Sequence, residues 1–454
     1  MKKNICFPIL LAFSFTSCHL YSPYERPVTE ISDNLFRLPT THTDTLSLAA
    51  ISWKTLFTDT LLQQLIDTGI QHNADLNIAR SKVEEAEAWL KSSKLYYLPT
   101  LGASAQGNLN KADNLPLSKS YNLALTSNWE LDLFGKQRND KRGAKVQLQQ
   151  DVAMCQAVQT QLVATIANYY YSLLMLDKQA AITQQTVASW EESVQTVKGL
   201  MRAGKVNDLA VRQTEANQYA VEVAHLELQQ KINEMENTLS VLIGSTPQQI
   251  QRGSLDAQLF PDTLTTGVPL QLLSHRPDIR QKEMEMAKTF YATQATRARF
   301  YPNVVLGGNA GWTNSALGSI SNPGKWLLSA VGSVVQPLFN KGENRAHLKV
   351  AEARQQQSLI AFQQALLEAG KEVNDALMQW QAARERIRLN HQQVRALSSA
   401  LKNSEKLMKY GKQNYLDVLT AKQQLLRAQQ EAVNDQFNEI QGVIKLYHAL
   451  GGGL

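Results

Sequence analysis

The sequence predicts a mainly α-helical chain that also carries four membrane β-strands, too few to close a barrel alone. Three observations carry this reading. The 454-residue chain repeats itself at a spacing near 200 residues. Each copy holds a pair of runs, roughly ten residues long, in which apolar and polar residues alternate. Each copy then holds a proline-free stretch of more than 60 residues.

The N-terminus reads as a targeting segment. Lys2 and Lys3 precede the apolar run Ile5 to Phe15, and Thr16-Ser17 lead into Cys18. This is a secretory pattern with a cysteine at the cleavage position, and it resembles a bacterial lipobox. Residues 1–17 are therefore expected to be a signal peptide, and Cys18 the lipidated first residue of the mature chain. Cys6 lies inside the signal and Cys155 stands alone, so an acylated Cys18 leaves no disulfide framework. A secreted chain without one fits a bacterial envelope. Residues 18–37, with Pro23 and Pro27 and no clear period, read as an extended lipidated tether.

The longest apolar run, residues 5–15, is too short for a membrane helix of ~20 residues, which excludes an inner-membrane helical bundle. A net charge of +6 and a pI of 9.0 are mild for this length, and Lys and Arg are scattered. No concentrated basic stripe is visible, so no nucleic-acid partner is expected.

Three markers recur in the same order. Tyr97-Leu98-Pro99-Thr100 resembles Phe300-Tyr301-Pro302-Asn303, with the prolines 203 residues apart. Leu131-Asp132-Leu133-Phe134-Gly135-Lys136 resembles Pro337-Leu338-Phe339-Asn340-Lys341-Gly342, with the phenylalanines 205 apart. Gly204 to Leu209 resembles Gly411 to Leu416, with the glycines 207 apart. Such small drift argues for duplication. The expected organisation is a first repeat at 38–243, a connecting segment at 244–275 and a second repeat at 276–454. Strands are expected at about 101–133 and 304–337, and helices at about 136–243 and 341–449.

The strand pairs are the most informative pattern. Leu101, Ala103, Ala105, Gly107 and Leu109 alternate with Gly102, Ser104, Gln106, Asn108 and Asn110. Tyr121, Leu123, Leu125, Trp129, Leu131 and Leu133 alternate with Asn122, Thr126, Asn128, Glu130 and Asp132. Val304, Leu306, Gly308, Ala310 and Trp312 do so against Asn309 and Thr313, while 326–337 alternates poorly. Period two makes one face apolar and one polar. About ten residues is the length a tilted strand needs to cross a bilayer. A half-buried soluble sheet would alternate identically; Trp129, Trp312 and Trp326 suit an aromatic girdle.

The proline-free stretches tip that balance. Residues 136–198 and 341–409 interrupt their helical pattern only at Gly143, Gly342 and Gly370. Helices of roughly 95–100 Å cannot surround one compact core, and they read as coiled-coil-like staves. Ala153, Ala157, Ala164 and Ala167 permit close neighbours. After Gly204 and Gly411 the chain turns into shorter helices, with Asn207 and Asn414 as candidate N-caps. An open sheet edge cannot sit in lipid, so the four strands must join a barrel shared among copies. Two, three or four copies give eight, twelve or sixteen strands, and geometry alone does not choose.

These residues together resemble the TolC-like outer-membrane efflux factors, in the lipoprotein branch called NodT-type. The carriers are Cys18, the duplicated halves, Gln336 to Gly342 (Gln-Pro-Leu-Phe-Asn-Lys-Gly), Arg276-Pro277-Asp278-Ile279-Arg280, and Gly411 to Ala421 (Gly-Lys-Gln-Asn-Tyr-Leu-Asp-Val-Leu-Thr-Ala). The resemblance implies a homotrimer in the outer membrane, with a twelve-stranded barrel and a periplasmic tunnel of twelve helices. It implies an equatorial belt built from about 38–58 and 244–275. It implies docking onto a periplasmic adaptor protein and an inner-membrane pump of the RND type, export of small molecules, and no catalysed reaction. It also implies a periplasmic gate. Leu416 matches an apolar constricting ring, and Asp417 and Thr420 match two positions where TolC carries carboxylates. Thr420 departs from that pattern, and the first-repeat counterpart of Asp417 is Ala210. One acidic ring of three carboxylates is therefore expected.

Other signals weigh less. Gly199 to Lys205 nearly spells a phosphate-binding loop, but Val206 stands where Ser or Thr must hold magnesium and no strand precedes it. The eight histidines lack metal-ligand spacing and the nine methionines do not cluster. No catalytic constellation, cofactor site or metal site is expected. Two other classes fit parts of the pattern: a periplasmic adaptor lipoprotein, which has one helical hairpin rather than two, and a coiled-coil envelope scaffold.

Mass spectrometry of the mature N-terminus is expected to find diacylated Cys18 with residues 1–17 removed. An unmodified Cys18, or a chain beginning elsewhere, would overturn the anchor.

Overall fold

A computed structural model describes residues 23–27, 52–258, 260, 276–315, 325–410 and 412–452. Cys18, most of the tether and much of the expected equatorial belt lie outside the described residues. The helices are α1 (Trp53–Leu56), α2 (Thr60–His72), α3 (Ala74–Leu95), α4 (Lys136–Arg202), α5 (Asp208–Leu242), α6 (Pro277–Ala298), α7 (Glu343–Lys409) and α8 (Tyr415–Ala449). The strands are β1 (Thr100–Asn110), β2 (Ser118–Leu131), β3 (Asn303–Ser315) and β4 (Lys325–Val335).

The duplication appears in the helix lengths. α3 and α6 have 22 residues each, α4 and α7 have 67 each, and α5 and α8 have 35 each. Gly143 and Gly370 interrupt nothing, because a single glycine costs only about 1 kcal/mol against Ala in a long helix. Gly342 lies just outside α7 with a φ of +82°. No described helix is long and apolar enough to cross a membrane.

The chain divides into two compact units. One holds Lys82–Val152 and Gln281–Gln363 with the described N-terminal residues. Its centre is an antiparallel sheet in the order β1-β2-β3-β4. The register decides its chemistry. Leu123 opposes Ala105 on one side and Trp312 on the other, Leu125 opposes Ala103 and Ala310, and Trp129 opposes Leu306. Trp312 in turn opposes Trp326, with ring centroids 4.6 Å apart, and Ala310 opposes Leu328. One face therefore collects the apolar residues of all four strands. The other collects Ser104, Gln106, Asn122, Thr126, Asn128, Asn309 and Ser329.

Among the described residues nothing covers that apolar face: Leu101 is 82% exposed, Leu125 65% and Leu328 83%. A half-buried soluble sheet would hide it. The tryptophans lie toward opposite ends. Trp129 is six residues along β2 from the partner of Trp312, or about 20 Å at ~3.4 Å per residue. That approaches the ~25 Å apolar band of outer-membrane barrels.

Two details differ from the sequence reading. β2 ends at Leu131, so Leu133 falls in the turn before α4. β4 pairs fully with β3 although its alternation is poor, because Leu327, Val331 and Val335 put apolar residues on the polar face as well. Backbone pairing to β3 sets that strand.

The second unit holds Ala153–Arg280 and Gln364–Leu454, with residues 52–81. Phe57, Leu62, Ile66, Tyr170, Tyr171 and Tyr447 are buried there. Gly442 lets α8 approach α7 closely, since a Cβ at that position would meet the Trp380 Cα at 2.9 Å.

Replacing Leu125 by Arg is expected to cost about 2–4 kcal/mol near mid-bilayer. Thr126→Arg, one residue along on the polar face, should cost far less. Unfolding of the two variants in lipid vesicles measures the difference; equal costs would remove the assignment of faces.

Candidate functional site

The residues singled out for a gate lie at the turn between α7 and α8, within the second unit. Both long helices end the same way. Gly204 takes a φ of +66°, and the Lys205 N–H donates to the Leu200 carbonyl at 2.9 Å, closing a helix C-terminus that only glycine adopts without strain. At the second turn the Lys412 N–H donates to the Leu407 carbonyl at 3.0 Å. Each following helix is then capped by asparagine. Asn207 Oδ1 accepts from the Ala210 N–H at 3.2 Å, and Asn414 Oδ1 from the Leu416 N–H at 3.3 Å.

The first turns of α8 have two unlike faces. Tyr415, Val418 and Leu419 are buried. Tyr415 and Leu419 join a cluster with Trp190, Val197, Val211 and Val221 from α4 and α5. Leu416, Asp417 and Thr420 are exposed together on the other face, and Leu416 is 53% exposed. The Thr420 hydroxyl donates to the Leu416 carbonyl at 3.0 Å, which leaves it a local role. Asp417 enters no ion pair among the described residues. The first hairpin differs: Asp208 meets Arg212 at 3.4 Å, and Glu215 meets Lys198 at 2.8 Å. Its Leu209, the counterpart of Leu416, is 61% exposed.

The sequence reading missed Lys422. It projects from α8 on the buried side, beside Val418 and Leu419. Its Nζ donates to the Ser193 Oγ at 2.6 Å, the Ser189 Oγ at 2.9 Å and the Ser189 carbonyl at 3.1 Å, all on α4. Glu405 on α7 stands 3.7 Å away. Burial pushes the Lys422 pKa down, opposed by Glu405 and Glu192. One side chain thus links α4, α7 and α8 just behind the exposed Leu416–Asp417 face. The available signal was a lysine at a position where helical spacing calls for an apolar residue.

Arg276 was read only as part of a motif. It is 2% exposed and donates to both Asp278 oxygens at 3.0 and 2.6 Å, to Glu372 at 2.7 Å and to the Ala449 carbonyl at 2.9 Å. It therefore joins the start of α6, the middle of α7 and the end of α8. The near phosphate-loop at 199–205 is a helix end and its turn, with no strand before it. Cys18 lies outside the described residues.

Comparison with known proteins places this geometry. The family model described as outer membrane efflux protein matches residues 65–245 and 268–452. The cation efflux system protein CusC of Escherichia coli K12 is 27% identical over 453 residues, spanning 98% of each chain. The "Probable outer membrane lipoprotein SilC" of Salmonella typhimurium is 26% identical, spanning 100% of this chain and 99% of its own. Among solved structures, the open-state MtrE outer membrane channel of Neisseria gonorrhoeae superposes with a TM-score of 0.86 at 28% identity, covering 95% of this chain and 98% of its own.

Lys422→Ala is expected to loosen the hairpin by about 2–3 kcal/mol, the worth of hydrogen bonds to a charged group. Hydrogen exchange of residues 187–197 and 415–425 reads it, and unchanged protection would refute the brace. The pH dependence has a definite sign. With the folded pKa below that of the unfolded chain, the penalty for holding the charge is full below the folded value. Wild-type protection should therefore rise as pH climbs toward the ordinary lysine value.

Proposed function

The chain belongs to the outer membrane efflux protein family, and from that premise we propose an assembly and a gate. The protein is an outer-membrane efflux channel subunit, and three copies supply the twelve strands of one barrel. The observation that carries this is the sheet itself. Among the described residues its apolar face is continuous and uncovered, and β1 and β4 each leave one edge unpaired. In lipid those edges must pair with neighbouring chains. A periplasmic adaptor or an envelope scaffold gives no account of such a face.

The long helices form the periplasmic tunnel, which engages a periplasmic adaptor protein and an inner-membrane pump of the RND class. Energy for export comes from the pump. Lipidation at Cys18, supported by the lipobox-like sequence and by the lipoprotein relative, holds the N-terminus at the outer membrane.

The hairpin between α7 and α8 gates the passage. Its support is the exposed, uncompensated pair Leu416 and Asp417, backed by the Lys422 brace. In a trimer three Leu416 side chains form an apolar constriction and three Asp417 carboxylates an acidic ring. At ~7 Å in water each carboxylate pair repels by about 0.6 kcal/mol, roughly 2 kcal/mol for the ring. Such a ring draws cations and favours their passage.

Planar-bilayer recording tests this. Asp417→Asn is expected to lower cation preference, and Leu416→Ala to give larger or more frequent openings. Unchanged selectivity and conductance in both variants would remove the gate and leave the barrel standing.

A further inference from the structure

The start of α4 is built against the usual preference of a helix. Its first turn holds Lys136 and Arg138 and no acidic residue, although the helix dipole favours acids there. Asp132, in the preceding turn, is occupied as a cap: its carboxylate accepts from the Gln137 N–H at 3.1 Å and the Arg138 N–H at 2.8 Å. Further basic residues follow at Lys141, Arg142 and Lys145. With Arg138 these stand at i, i+3, i+4 and i+7, one face of the helix. None of the four enters an ion pair among the described residues.

The geometry also says which way that face looks. Lys136 projects about 200° around the helix from Arg138. It pairs with Glu130 at 3.1 Å, and the register puts Glu130 on the polar face of the sheet. Asp140, one turn on from Lys136, shares its side of the helix. The Arg138 side therefore continues the apolar face. A second link agrees: the Trp129 indole, on the apolar face, donates to the Tyr97 carbonyl at 2.9 Å, and the Lys141 ammonium lies 5.3 Å from the centre of the Tyr97 ring. Tyr96, Leu98 and Leu133 are exposed, and Lys94 lies in the last turn of α3, two residues before Tyr96 in the chain. An apolar band, an aromatic edge and a basic row thus follow one another within the first unit. That is the order of acyl chain, interface and headgroup phosphate.

We propose that the Arg138–Lys145 face of α4 binds anionic phospholipid headgroups of the periplasmic leaflet, one site on each protomer. The inference rests on the barrel reading above. The ~14 Å rise from Lys136 to Lys145 spans the headgroup layer, which adds roughly 5–8 Å on each side of the hydrocarbon. The basic row fixes the height at which the barrel sits, and its ligand is a phosphate monoanion on a lipid.

Native mass spectrometry of the detergent-extracted full-length protein tests the site, with phosphatidylglycerol and phosphatidylcholine of equal chain length supplied together. The trimer is expected to retain phosphatidylglycerol at least about tenfold over phosphatidylcholine. The combined variant Arg138→Gln, Arg142→Gln, Lys145→Gln should lose that preference, and Asp140→Asn, on the opposite side, should keep it. Equal retention of the two lipids by the wild-type trimer would overturn the site and leave the barrel intact. A preference that survives the triple substitution would overturn it equally. A chain that forms no trimer would remove the barrel and this site with it.

Discussion

The backbone of an edge strand in lipid has no water to bond, and each unpaired group there costs several kcal/mol. The rest of the protein follows from that constraint. Four strands in the order β1-β2-β3-β4 leave two edges, and only other copies of the chain can cover them in the same pattern. Because the barrel is shared, no single chain needs a closed core in the membrane. Its apolar surface is spent outward on lipid, and the amide and hydroxyl side chains Gln106, Asn122, Thr126 and Asn309 are turned the other way. Among the described residues no helix is long and apolar enough to cross a membrane.

Much of this architecture was legible because period two and period 3.6 are both written in residue type. β1 and β2 could be placed from Leu101–Leu109 and Tyr121–Leu131 because one face meets lipid and the other does not. β4 was harder for a physical reason: Leu327, Val331 and Val335 are apolar on the side that should be polar, so pairing rather than pattern defines it. The duplication was visible from three short markers, and equal helix lengths follow from it. Periodicity does not reveal what a buried polar residue touches. Lys422 is only a lysine out of step with the helical pattern until α4 brings Ser189 and Ser193 to it. Arg276 reads only as part of a motif until the chain end returns Ala449 to its guanidinium.

The basic residues show the same limit in another form. Along the sequence Lys and Arg are scattered, which excludes a nucleic-acid stripe. Helix formation keeps Arg138, Lys141, Arg142 and Lys145, close neighbours in the chain, on one side of α4 and sends Lys136 to the other, where Glu130 neutralises it. What the linear order does not show is the sorting by helical angle, which separates Lys136 and Asp140 from the other four.

The two halves kept their backbone plan and diverged in charge. Both hairpins use a 6→1 bond at the turn and an asparagine cap, so the chain reverses in the same way twice. In the first hairpin Asp208 and Glu215 are each matched by a cation, while Ala210 stands where the second hairpin has Asp417. The second hairpin leaves Asp417 unmatched on its exposed face and puts its lysine, Lys422, inside, tied to α4. A matched surface has little reason to move in a field or to attract an ion. An unmatched acid held in place by a buried brace does. The proposed gate therefore rests on one of two equivalent turns: among the described residues only the second carries an exposed acid outside any ion pair, and one copy per protomer would set three such charges at a single level.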